Sequence, residues 1–317
     1  MKKILVSRAL TDAVMQRAHA SYDITLRKSD SPMSAAEMRS SLVLYDGMIP
    51  TLGDMFSADI FAEFGRTKCK ILANFGVGIN HIDVAAARDH GITVTNTPGA
   101  VTDATADIGL TLLLMSARRA GEGERLARSG NWAGWTPTQM LGSHVSGKTV
   151  GIVGMGRIGQ AIARRCHFGF GMSVKFFNRS PKEIDFPATQ IANLETLAAE
   201  VDFLVVATPG GAETTHLINA SIFDAMKPTA HFINIARGEI VDETALIAAL
   251  EAQAIAGAGL DVYEHEPAVP NALRKLDTVT LLPHLGTATE EVRDNMGHMS
   301  LDNLDAFFAG ETPPNAL

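Results

Sequence analysis

A β-branched run, Thr149-Val150-Gly151-Ile152-Val153, leads directly into Gly154-Met155-Gly156-Arg157-Ile158-Gly159 and then into the helix-like Gln160-Ala161-Ile162-Ala163-Arg164-Arg165. A strand that turns through spaced glycines into a helix is the opening of a βαβ dinucleotide-binding unit. Gly154 suits the tight turn, Gly156 the close approach of backbone to pyrophosphate, and Gly159 the packing of helix on strand, with the phosphates at the helix N-terminus. Arg157 and Ile158, inside the same loop, are cofactor-binding candidates by position. Out of this context the glycine spacing is weak, and a merely structural turn is the competing reading.

In a unit that prefers NAD, an acidic residue ends the following strand and hydrogen-bonds the ribose 2′-hydroxyl. Here the next strand, Val174-Lys175-Phe176-Phe177, ends in Asn178-Arg179-Ser180. A carboxylate repels a 2′-phosphate, whereas an Arg fork with an amide and a hydroxyl beside it can hold one. These residues favour NADPH and leave NADH possible. Alternatively, Arg179 lies over the adenine or points to water.

The rest of the chain fits around this unit. Short β-branched runs alternate with helical-period segments, as in a parallel sheet covered on both faces. Strands are expected at Lys3–Val6, Ser41–Tyr45, Lys70–Ala73 and Ile92–Thr95, and again at Thr149–Val153, Val174–Phe177, Phe203–Ala207, His231–Ile235, Gly257–Asp261 and Thr278–Leu282. One long helix is expected from Thr102 to about Arg128, acidic at its front and basic toward its end, as the helix dipole prefers. Gly130 to Lys148 reads as an extended connection. A last helix, Thr289 to Ala309, ends at Gly310 and is expected to return to the first unit. The length of 317 residues suits two domains. The expected fold is α/β, two Rossmann-like doubly wound parallel-sheet domains with a cleft between them: 1–98 plus 287–317 for substrate, 99–286 for the dinucleotide.

Composition removes several function classes. Lys plus Arg number 27 against 35 Asp plus Glu, a net charge of -8 with no basic stripe, so nucleic acid is not an expected partner. The apolar run after Met1-Lys2-Lys3 stops at Arg8, too short for an export signal, and the longest apolar stretch, Ile108 to Ala117, is too short for a membrane span. The expectation is a cytoplasmic protein without membrane contact. Cys69 and Cys166 lack metal-ligand spacing and read as buried thiols, and no metal is expected.

Three polar groups leave neighbouring strand ends on the cofactor's side of the sheet. Arg237 lies in Asn234-Ile235-Ala236-Arg237-Gly238, Glu266 in Glu264-His265-Glu266-Pro267 and His284 in Pro283-His284-Leu285-Gly286. Singly, each has an ordinary structural reading: an ion pair, a solvated acid, a surface histidine. Together with Asn74-Phe75-Gly76-Val77-Gly78, Thr95-Asn96-Thr97-Pro98-Gly99, the Gly154–Gly159 loop and Gly259-Leu260-Asp261-Val262-Tyr263-Glu264, they resemble, over nearly the whole chain, the D-isomer-specific 2-hydroxyacid dehydrogenases.

The resemblance implies that Arg237, Glu266 and His284 are the catalytic residues. The chemistry is consistent: reducing a 2-keto acid needs a hydride at the carbonyl carbon, a proton at its oxygen and a cation facing the carboxylate. Arg237 can engage carboxylate and carbonyl, His284 can supply the proton, and Glu266 can orient the imidazole and favour its charged form. The resemblance further implies that backbone amides around Val77 and Gly78 bind the substrate carboxylate, against an ordinary glycine turn as the alternative. It places Asp261 by the nicotinamide carboxamide, Thr208, Pro209, Ala236 and Gly286 along the cofactor, and Thr105 near the nicotinamide end unless that residue simply packs inside its helix.

Asn131-Trp132-Ala133-Gly134-Trp135-Thr136-Pro137 looks like the Trp-x-Pro connection of the glyoxylate and hydroxypyruvate reductases within the family. That likeness implies NADPH-dependent reduction of a small keto acid in a homodimer joined through the cofactor domain, with Trp135 closing the neighbouring subunit's pocket; a plain interface aromatic is the competing view. The loop Asp46 to Gly53 departs from the relatives, and Leu52 or a neighbour is expected to face the substrate. Formate dehydrogenases share the architecture but carry Gln where Glu266 stands. A nucleotide-sensing corepressor on the same fold is the remaining rival, and turnover separates it from an enzyme.

Overall fold

The computed structural model describes residues 1–63 and 67–317. It divides into two compact units, Met1–Val101 with Thr287–Leu317, and Thr102–Gly286.

The first unit contains β1 (Lys3–Val6), α1 (Asp12–Ser21), β2 (Asp23–Leu26), α2 (Ala35–Leu44), β3 (Gly47–Ile49), α3 (Ala58–Ala62), β4 (Ile71–Ala73), α4 (Val84–Asp89) and β5 (Thr93–Thr95). Its five strands are parallel in the order β2-β1-β3-β4-β5. The order reverses between β1 and β3, so the carboxyl ends of those strands open on a switch point, the edge where such sheets bind ligands. Leu5, Met38, Leu42, Met48, Phe56, Phe61 and Leu72 form its core.

The strand expected at Ser41–Tyr45 is instead the last turn of α2. A capping box starts that helix: Ser34 Oγ accepts from Glu37 N, and Glu37 Oε2 accepts from Ser34 N. Met38, Ser41 and Leu42, spaced three and four apart, face inward, while Val43 and Leu44 are 45% and 59% exposed. The adjacent apolar letters thus split between two faces of a helix, and the strand comes at Gly47–Ile49, buried on both sides. The edge strand β2, Asp23-Ile24-Thr25-Leu26, is short and mostly exposed, and it is absent from the strands expected from sequence.

The second unit runs α5 (Thr102–Ala117), α6 (Ala120–Arg128), β6 (Thr149–Val153), α7 (Arg157–Arg164), β7 (Ser173–Phe177), β8 (Thr189–Gln190), α8 (Leu194–Glu200), β9 (Phe203–Val206), α9 (Ala220–Ala225), β10 (His231–Asn234), α10 (Glu243–Glu251), β11 (Gly257–Leu260), α11 (Asn271–Lys275) and β12 (Val279–Leu281). Seven parallel strands lie in the order β12-β11-β10-β9-β6-β7-β8. This is the doubly wound order with its reversal between β6 and β9. One apolar cluster, including Leu197, Phe223, Phe232 and Leu246, covers one face of the sheet. A second, including Leu112, Leu113, Ile162 and Phe203, covers the other.

The single helix expected from Thr102 to Arg128 breaks in two. Ser143 N donates to Ala117 O at 2.7 Å, occupying the carbonyl that a continuing helix would need. Arg119 adopts a left-handed conformation (φ 52°) and caps α6. The chain then returns to the first unit through α12 (Glu290–Ala309), capped by Thr289 and ended by a left-handed Gly310. A Cβ on Gly297 would lie 2.5 Å from Val14 Cγ2, so α12 meets α1 closely there.

Cys69 and Cys166 are both free and buried. Burial pushes each thiol up to about 12. No helix among the described residues is long and apolar enough to cross a membrane.

Candidate active site

The glycine loop leaves β6 at the switch point of the second unit. Gly154 has φ +96°, and a Cβ there would come within 2.7 Å of the Thr208 backbone; a Cβ on Gly159 would lie 2.1 Å from Gly154 O. The protein itself therefore requires both. Nothing lies within 4 Å of the position a Gly156 Cβ would take, which leaves room for the close pyrophosphate approach such a loop allows. These residues fit a bound dinucleotide.

The end of β7 braces this loop. Gly154 N donates to Phe177 O at 2.9 Å, and Met155 N donates to Asn178 Oδ1 at 3.1 Å. Asn178 Nδ2 donates to Ser180 O at 2.8 Å, and Gln190 Nε2 donates to Asn178 O at 3.0 Å. Asn178 thus shapes the loop with its side chain, while Arg179 pairs with Glu213.

Three neighbouring parallel strands, β10, β11 and β12, deliver the other candidates to one edge. After β10, Asn234 wraps the turn: its Oδ1 accepts from Ala236 N and its Nδ2 donates to Arg237 O, both at 3.0 Å. The Arg237 side chain folds back so that Nη1 donates to Ala236 O at 2.6 Å. A Cβ on Gly238 would sit 1.9 Å from the Tyr263 carbonyl carbon, so the Arg237 turn packs directly on the backbone leading to Glu266.

His284 Nδ1 and Glu266 Oε2 are 2.8 Å apart, and the other Glu266 oxygen accepts from Tyr263 N at 3.2 Å. Burial works to raise the Glu266 carboxyl, but its bond to His284, the Tyr263 amide and the Arg237 charge together hold it below the usual range. The same burial lowers Arg237, opposed by Glu239 and Glu266. Glu266 therefore faces both the guanidinium and the imidazole as a carboxylate.

Asp261 supports the turn that carries His284. Its two oxygens accept from Leu285 N (2.6 Å) and Gly286 N (2.8 Å), and its carbonyl accepts from His284 N (2.9 Å). This role escaped the sequence, although an Asp ending β11 beside a Pro-x-x-Gly turn after β12 was its signal. Burial raises the Asp261 carboxyl, and these amides counter it. Thr105 is buried and donates to Gly286 O at 3.0 Å, completing the support.

In the first unit the Gly76–Gly78 turn follows β4. Asn74 Nδ2 donates to Gly76 O (3.0 Å) and Gly78 O (3.1 Å), and Asn96 Nδ2 donates to Val77 O (3.0 Å). Because each peptide is planar and trans, its N–H points opposite to its C=O. With three carbonyls drawn toward Asn side chains, the amides of Val77, Gly78 and Ile79 are turned the other way, as in anion-binding nests. Sequence reasoning missed both asparagines as the cause. Leu52 is 41% exposed at a tight turn closed by Gly53, and Trp135, in the connection after α6, is 77% exposed. No group of three or more metal-ligating side chains occurs among the described residues.

Comparison with known proteins supplies the family. Residues 110–286 match the family described as D-isomer specific 2-hydroxyacid dehydrogenase, NAD binding domain. A glyoxylate reductase of Thermococcus litoralis is 40% identical over 321 residues, 99% of this chain and 96% of the relative. A glycerate dehydrogenase of Hyphomicrobium methylovorum is 36% identical over 320 residues, 100% of this chain and 99% of the relative. The solved NADPH-dependent glyoxylate/hydroxypyruvate reductase of Sinorhizobium meliloti, in complex with NADP and malonate, superposes with a TM-score of 0.89 at 36% identity, covering 100% of this chain and 96% of that one. The chain therefore belongs to the D-isomer-specific 2-hydroxyacid dehydrogenases, oxidoreductases that work with a nicotinamide cofactor.

Proposed function

We propose that the protein reduces a short 2-keto acid, glyoxylate or hydroxypyruvate, to the D-2-hydroxy acid with NADPH. The observation that carries this reading is the 2.8 Å contact between His284 Nδ1 and a Glu266 held as a carboxylate. Glu266 holds the ring through Nδ1 and leaves the far nitrogen, Nε2, free to face the substrate, where the imidazolium hands its proton to the developing alkoxide. Arg237 aligns and polarises the keto acid with its fork, and the amides at Val77 and Gly78 receive the carboxylate.

The bound nicotinamide supplies the hydride. Gly154, Gly156 and Gly159 hold the pyrophosphate with Arg157 and Ile158 at the helix start; Thr208, Pro209, Ala236 and Gly286 line the cofactor. Arg179 with Ser180 meets the 2′-phosphate, which gives the NADPH preference. Trp135, contributed by a second copy in a homodimer joined through the cofactor unit, and Leu52 limit the substrate's side chain. Relatives named for glyoxylate and hydroxypyruvate support this substrate class.

Steady-state oxidation of NADPH and NADH with glyoxylate, hydroxypyruvate, pyruvate and phenylpyruvate tests the proposal. Fast turnover of the first two with NADPH is expected. Binding of nucleotide without turnover of any keto acid would replace it with a sensing role.

A further inference from the structure

Two loops leave the second unit's sheet on either side of the strand that carries the glycines. β6 lies between β7 and β9, so the residues after β7, Asn178 to Ser180, and those after β9, Thr208 to Glu213, flank the Gly154–Gly159 loop from opposite sides. Across that loop Arg179 Nη1 donates to Glu213 Oε2. Both partners are well exposed, 86% and 79%, and both are rooted in braced turns. Asn178 and Gln190 fix the first turn. Thr214 Oγ1 bonds to Pro209 O (2.9 Å) and Gly211 O (3.1 Å), with Thr215 N on the same Gly211 carbonyl (3.1 Å), fixing the second. The pair therefore bridges two braced turns on either side of the loop that, in the reading above, holds the pyrophosphate.

We infer that Glu213 is a specificity-determining residue for the cofactor: it supplies, from the loop after β9, the acid that a dinucleotide site preferring NAD carries at the end of its second strand. This rests on the reading of Arg179 as the group that meets a 2′-phosphate. An exposed ion pair is weak, and a phosphate monoester brings close to two negative charges and three acceptor oxygens. The phosphate takes the Arg179 fork, yet a carboxylate rooted within reach of that fork repels it. NADH brings a 2′-hydroxyl, which donates to the same carboxylate at no charge cost. Glu213 thus narrows the advantage that Arg179 gives NADPH, and the site accepts both nucleotides.

Direct titration of the whole protein with NADPH and with NADH, without keto acid, following nucleotide fluorescence, gives the two dissociation constants. In Glu213→Gln the ratio Kd(NADH)/Kd(NADPH) is expected to rise roughly three- to tenfold over wild type. NADPH binding should also weaken more steeply with salt, because the phosphate then faces an unopposed cation. Arg179→Ala is measured beside it and should lower the ratio. A ratio unchanged or lowered in Glu213→Gln, with Arg179→Ala still weakening NADPH selectively, overturns the role of Glu213 and leaves Arg179 in place. Equal weakening of both nucleotides in Arg179→Ala overturns the reading beneath it.

Discussion

His284 is held from two directions, its ring by Glu266 and its backbone by Asp261. Removing the ring while leaving that support intact separates chemistry from binding. His284→Ala is expected to lower kcat on the order of 10²- to 10⁴-fold with NADPH affinity kept within about twofold; a fully active variant would remove the proton-donor assignment. At this scale the sequence was most readable at Gly154 and Gly159, whose missing side chains the fold requires, and in the meeting of Glu266 with His284. It was least readable where an ordinary polar side chain works on backbone. Asp261, Asn74 and Asn178 spend their oxygens and amides on peptide groups that only the folded turn brings near, and no periodicity announces such bonds.

Among elements, the errors came where local composition met competing contacts. The Ser41–Tyr45 run has strand-like letters, but a capping box seven residues earlier starts a helix that carries through it. The break between α5 and α6 depends on Ser143, remote in sequence, capping Ala117. The connection that makes this return leaves Trp132, Trp135 and Leu141 at 55%, 77% and 68% exposed, beside α6, which has no buried residue of its own. Exposed apolar side chains of this size are what an interface would cover, which fits the second copy proposed above. Light scattering should give twice the chain mass of 33.8 kDa, and Trp135→Ala should raise KM for the keto acid; a monomer at working concentration would take Trp135 out of the site.

For the molecule as a whole, acid stability draws on the buried His231. His231 stacks on Phe203 at 5.4 Å and lies within hydrogen-bonding distance of Ser116 (2.8 Å) and Ser143 (3.0 Å), joining β10, α5 and the connection. Burial lowers its pKa to about 4, whereas the unfolded chain takes the proton near about 6.5. Its contribution is complete above the unfolded value and is lost as pH falls toward the folded one, on the order of 3 kcal/mol in all. Urea midpoints between pH 7 and 4 should fall less steeply in His231→Gln than in wild type. Asp261 and Glu243 shift the opposite way through burial, so the difference between the two proteins carries the test; parallel slopes would show that His231 contributes nothing.

The chain passes from the first unit to the second and back, so that α12 is made after the whole second unit but belongs with strands made before it. On a ribosome, the second unit is continuous and can close as soon as Gly286 clears the exit tunnel. The first cannot close until Thr287–Leu317 has followed. Through that interval the face of α1 around Val14, which Gly297 later covers, is open to water and to other nascent chains. The α1 face is thus left uncovered for as long as the second unit takes to be made, and a chaperone acting on the nascent chain in that interval would find a binding surface there.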